Sequence, residues 1–166
     1  IAHHQQVVRV DREDRAPLSP AMSNRFIRFV RTQLAAVDAV IIEDYGKGVI
    51  TRQLLEELIP LVRSRKKIIT VDPKEEHFDL YHRVTAITPN RTEAATMLNR
   101  ELESEEDILR AGNDLLEQLR CEGALVTLGE DGMALFERNG RCTRIPTVAQ
   151  EVFDVAGAGD TVIAAF

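Results

Sequence analysis

The chain has 166 residues, 29% of them charged and 44% hydrophobic, which is the balance of an ordinary globular chain. A net charge of −6 argues against a nucleic-acid surface, and no apolar run is long enough to span a bilayer. Cys121 and Cys142 form no Cys-x-x-Cys pair, so two reduced cysteines in a cytosolic protein are expected.

In chain order, Gln5 to Asp11 alternates loosely and predicts a short strand. Ser19 to Val37 predicts a helix that starts near Pro17 and Pro20, with Phe26, Phe29, Val30 and Leu34 on one face. Ala39 to Ile42 predicts a buried strand ending at Glu43-Asp44. Thr51 to Ser64 predicts an amphipathic helix capped by Thr51, with Pro60 as a point of kinking or a boundary. Strands are expected at Lys67 to Val71, Val84 to Thr88 and Ala124 to Thr127. Helices are expected at Thr92 to Leu98 and at Ser104 to Arg120, the latter with Ile108, Ala111, Leu115 and Leu119 in line. Met133 to Phe136 and Cys142 to Ile145 flank Asn139-Gly140 and predict a hairpin. The chain opens at Ile1 without Met and ends at Phe166 inside an apolar, helix-like run, so a fragment of a longer polypeptide is expected.

Alternating strands and helices predict an α/β fold, a mainly parallel sheet with helices on both faces. Ligands in such sheets bind beyond the carboxyl ends of the strands. The polar segments fall there: Asp44 to Gly48, Asp72 to Lys74, Asn90 to Glu93 and Gly129 to Gly132.

Gly157-Ala158-Gly159-Asp160 is the most informative segment. Glycines before an apolar run present backbone N–H groups at a positive helix end, which suits an anion. A carboxylate beside an anion is repelled, so Asp160 makes sense as a base for a nucleophile attacking a phosphate. The segment is neither a Rossmann nor a Walker loop, and a plain glycine turn capped by an aspartate explains it too. Asn90 and Glu93 fit hydrated Mg²⁺ and nucleotide phosphates, and equally a capping box. Thr127, Gly129 and Gly132 fit close approach to phosphates, and equally a tight connection. Lys47 and Lys74, each near a carboxylate, fit phosphate contacts or a solvated surface.

Together these residues resemble the ribokinase-like (PfkB) carbohydrate kinases. Asp154, Gly157, Ala158, Gly159 and Asp160 match the Asp-x-x-Gly-Ala-Gly-Asp signature, and Thr88 to Glu93 match Thr-Pro-Asn-x-x-Glu. Asp72-Pro73-Lys74 and Asp44-Tyr45-Gly46-Lys47-Gly48 match two further segments. Gln5 to Asp11 and Pro146 to Val155 most resemble the heptose 7-phosphate kinase domain of ADP-heptose synthesis.

The resemblance implies ATP-dependent phosphorylation of heptose 7-phosphate at O1, on the route to lipopolysaccharide core. It implies Asp160 as base, with the backbone of Gly157, Ala158, Gly159 and Asp160 as anion hole. It implies Asn90 and Glu93 serving Mg²⁺-ATP, and Thr127, Gly129 and Gly132 lining nucleotide phosphates. Lys47, Lys74 and Asp44 would contact substrate or phosphate, and Asp154 and the Ala156 carbonyl match part of a monovalent-cation (K⁺) site. Residues 1–166 would form a partial kinase domain, with 1–12 the end of a lid or edge strand and 19–166 the core. The sugar-binding N-terminal part and the C-terminal helices of the family would lie outside it. The full-length protein is expected to be a cytoplasmic homodimer. Position 156 holds Ala where the family often has Thr, which removes a hydroxyl and leaves the backbone donors. Another sugar kinase of the family and a non-catalytic nucleotide-binding fragment stand as the alternative readings.

Overall fold

The computed structural model describes residues 10, 12–147 and 158–166. The strand expected at Gln5 to Asp11 falls almost wholly outside them, as do Asp154, Ala156 and Gly157. The described elements are α1 (Pro20–Gln33), β1 (Ala39–Glu43), α2 (Arg52–Ser64), β2 (Ile68–Asp72), β3 (Ala86–Ile87) and α3 (Arg91–Met97). They continue with α4 (Glu105–Leu119), β4 (Gly123–Thr127), β5 (Met133–Glu137), β6 (Cys142–Ile145) and α5 (Ala158–Ala165).

The strands lie in sequence order, β1 to β6, in a single sheet. β1 to β4 are parallel, and β5 and β6 add antiparallel strands at one edge. Right-handed crossovers that always step in the same direction put their helices on the same face. That face carries one apolar row across the sheet, Ile42, Val71, Ile87, Ala124 and Phe136, aligned by register. All five are buried in the main core, with α2 and α4 packed against them. The opposite face is covered only in part by α5, whose Ile163 is buried and which packs on β1 and β2, while Ile41 and Ile68 on that face stay exposed. Helices therefore lie on both faces, as expected, though unequally.

Local chemistry sets most helix ends. Thr51 and Ser104 accept from the backbone N–H groups of Leu54 and Asp107, and Asp107 completes a capping box. α2 runs through Pro60, which is exposed, so the Glu56 carbonyl it deprives of a donor can turn to water. The face of α1 differs from the expectation. Ser23, Ile27 and Leu34 turn inward, whereas Phe26 and Phe29 stay exposed. Ser23 is fully buried, and α1 packs on its neighbour α2. A 3₁₀ turn at Glu75–Leu80 was not expected.

Candidate functional site

The parallel strands β1, β2 and β3 end side by side. The segments after them, and the connection after β4, form one polar edge of the sheet. The N-terminal turn of α5 meets this edge from the second face. A Cβ placed on Gly159 would stand 3.7 Å from Asp72 Oδ2. The first-turn N–H groups of a helix have no intrahelical partner, so those of Ala158, Gly159 and Asp160 point their partial positive charge at this edge.

Asp160 lies beside β1 and β2. Oxygens of Glu43, Asp72 and Asp160 all lie within 4.8 Å of one another. Tyr45 Oη is 2.9 Å from Asp160 Oδ1 and 3.1 Å from Glu43 Oε2. Half-burial pushes the Asp72 carboxyl up to about 6, against a hydrogen bond from Thr88 Oγ1 that favours its charged form. The neighbouring charges of Glu93, Glu43 and Asp160 push it the same way as burial. This concentration of negative charge repels a phosphate that arrives alone. An anion is accepted here only in company with cations or donors.

Two lysines supply cations near this cluster. Lys47 Nζ is 2.5 Å from Glu13 and stands 5.8 Å from the Tyr45 ring centre. Lys74 Nζ is 2.9 Å from Glu75, which pushes the lysine up and is itself pushed down in return. The Lys74 stem lies along Gly46, 3.5 Å from the place of an added Cβ. The loops that follow β1 and β2 are thus packed on each other.

Asp44 does not fit the expected substrate contact. Its side chain is 1% exposed. One oxygen accepts from the Gly46 N–H at 2.9 Å, and the other accepts from Tyr81 O–H at 2.7 Å. His77 Nδ1 also lies 2.6 Å from that second oxygen. A carboxylate with three partners inside the fold is buried away from a ligand and would repel a phosphate. Asp44 instead ties the loop after β1 to the 3₁₀ turn after β2.

Asn90 caps α3 with Glu93 in a reciprocal box. Asn90 Oδ1 accepts from the Glu93 N–H at 2.9 Å, and Glu93 Oε2 accepts from the Asn90 N–H at 2.8 Å. The box leaves Glu93 Oε1 outside the pair. Burial pushes the Glu93 carboxyl up, and the charges of Glu75 and Lys74 reach it. Thr127 ends β4 beside Asn90, with its N–H on the Pro89 carbonyl at 3.0 Å. The two glycines that follow differ. Gly129 has φ +64° and open space where a Cβ would stand. Gly132, at φ +81°, is pressed on the end of β6, where a Cβ would come 2.2 Å from the Ile145 carbonyl oxygen. Close approach to a ligand is open to Gly129, whereas Gly132 is required by packing.

Glu43 and Tyr45 as partners of Asp160, and Tyr81 as the buried post behind Asp44, were not foreseen from the sequence. Tyr45 did lie within the polar segment Asp44 to Gly48, and Glu43 stood at a strand end beside it. The oxygen donors of Asn90 and Glu93 are of the kind Mg²⁺ takes. The acidic cluster next to them is the structural reason that a phosphate would need such a cation.

Comparison with known proteins identifies the family and the fold. A model of the "pfkB family carbohydrate kinase" matches residues 2–166. The chain is 41% identical over 164 residues to "Bifunctional protein HldE" of Wolinella succinogenes, covering 99% of this chain and 34% of that protein. It is 42% identical over 164 residues to the protein of the same name in Geobacter metallireducens, with 99% and 34% covered. The chain thus spans about a third of the length of these curated relatives. Among solved structures, phosphofructokinase-2 of Escherichia coli in complex with potassium superimposes with a TM-score of 0.72 at 19% identity, over 84% of this chain and 47% of that one. Arabidopsis thaliana ribokinase complexed with ribose and ATP gives 0.67 at 23%, over 86% and 44%. These likenesses establish the ribokinase-like fold. Because that family model matches residues 2–166, nearly the whole of this chain, the chain belongs to the pfkB family of carbohydrate kinases.

Proposed function

We propose that this chain carries the phosphoryl-transfer centre of an ATP-dependent sugar kinase, with heptose 7-phosphate as acceptor at O1. The observation that carries the reading is Asp160 in the first turn of α5, at the carboxyl ends of β1 and β2. A base and a row of helix N–H donors are there within one turn of each other. The heptose acceptor rests on the sequence resemblance and on the name shared by relatives about 40% identical.

In this reading Asp160 accepts the proton of the attacking sugar hydroxyl, a form of help worth roughly 10²–10⁴-fold. The N–H groups of Ala158, Gly159 and Asp160 stabilise charge on the phosphoryl oxygens, and one such donor is typically worth about 10²–10³-fold in rate. Lys47 and Lys74 exchange their carboxylate partners for phosphate oxygens. Asn90 and Glu93 would hold Mg²⁺ through its waters, and Thr127 and Gly129 would line the nucleotide phosphates. When bound there, the Mg²⁺ would supply neutralisation of charge on the nucleotide phosphates. Asp154, Ala156 and Gly157 complete the proposal from outside the described residues.

The test is ADP release by the full-length protein with ATP, Mg²⁺ and a panel of heptose 7-phosphate, fructose 6-phosphate, ribose and fructose. The reading expects turnover with heptose 7-phosphate well above the others. Preference for another acceptor would reassign the substrate, and no sugar-dependent ADP release would remove the kinase reading.

A further inference from the structure

Tyr45 lies in the loop after β1 and is 56% exposed, yet its hydroxyl is fully engaged with two carboxylates. A phenol has a single proton and can donate to only one of them at a time. The hydrogen bond to Asp160, and after it the one to Glu43, push its ionisation upward, so the group keeps its proton and acts as a donor. Asp160 is also faced by Asp72 from β2 and by Glu43 from β1. Glu93 acts on Asp72 from α3, and Lys47 lies over the Tyr45 ring. Among these neighbours Asp160 meets two like charges and one donor. Without the donor, Glu43 and Asp72 would turn its carboxylate away.

We infer that Tyr45 is a positioning residue for Asp160, holding Oδ1 by a hydrogen bond so that the other oxygen is presented to the sugar hydroxyl. The inference rests on the reading of Asp160 as base. Glu43 competes for the same phenol proton and so weakens the hold. Removing the donor and removing its competitor therefore act in opposite directions.

The experiment uses the full-length protein and compares Tyr45→Phe and Glu43→Gln with wild type in kcat, KM and the pH dependence of kcat. A hydrogen bond to a charged group is strong enough that Tyr45→Phe should lower kcat about tenfold. KM for ATP and for the sugar should stay within about twofold, because only orientation of the base is lost. The fall of kcat on the acid side should move to higher pH in Tyr45→Phe and to lower pH in Glu43→Gln. Full kcat in Tyr45→Phe overturns the inference. So does a loss of kcat without the acid-side shift, which is what a loop scaffold alone would give. Both positions are at least partly exposed, and melting curves of both variants check folding. Asp160→Asn separates the two levels: if it is inactive while Tyr45→Phe is fully active, only the role of Tyr45 fails. If Asp160→Asn is active, the underlying reading fails with it.

Discussion

At Glu93 one carboxylate oxygen closes the cap of α3 and the other stays outside the pair. Glutamine keeps an acceptor for the Asn90 N–H and removes the charge. Glu93→Gln should therefore leave stability within about 0.5 kcal/mol of wild type. It should raise the Mg²⁺ concentration needed for half-maximal turnover several-fold. A melt combined with a Mg²⁺ titration measures both, and an unmoved titration would leave Glu93 with the cap alone. Asp72 gives a pH signature. Its folded pKa is raised from 3.8 to about 6, so the folded state holds the proton more tightly than the unfolded one. Stability is then highest below the unfolded value and falls as pH rises through this window. The full shift would be worth about 3 kcal/mol, and screening on its exposed side reduces this to the order of 1 kcal/mol. Asp72→Asn still accepts from Thr88, so it should be more stable than wild type at pH 7 and should lose the slope. Urea unfolding from about pH 4 to 7 reads it. Equal slopes in the two proteins would contradict the assignment.

Among the elements, α4 shows an opposition of two effects. Gly112 lies in mid-helix, where alanine would gain about 1 kcal/mol of helix propensity. An added Cβ would stand 2.3 Å from the Phe136 ring, which is 1% exposed and held by the core. Overpacking of this kind costs about 1–3 kcal/mol, so Gly112→Ala should lower Tm despite the better propensity. An unchanged or raised Tm would show that β5 gives way. The same contrast explains what the sequence disclosed. The caps at Thr51 and Asn90 and the turn at Asn139-Gly140 depend on neighbours a few residues away, and they were legible. The orientation of α1 was not, because it is set by packing against α2 and not by spacing within the helix itself. The 3₁₀ turn at Glu75–Leu80 and the burial of Tyr81 depend on Asp44, which is 37 residues distant from Tyr81.

For the whole molecule, the order of strands decides where chemistry can occur. Sequential parallel strands bring four connecting segments to one edge, and α5 reaches that edge from the other face. Periodicity and strand ends were enough to expect this edge as the site. The cluster of Glu43, Tyr45, Asp72 and Asp160 was out of reach, since Tyr45 and Asp160 are 115 residues apart and no local pattern links them. The central claim is that Asp160 is the base of a phosphoryl transfer at this edge. Steady-state turnover of Asp160→Asn in the full-length protein, with ATP binding measured alongside, tests it most directly. The account predicts a loss of at least about 10²-fold in kcat with ATP binding retained. Near-normal kcat in that variant would contradict it.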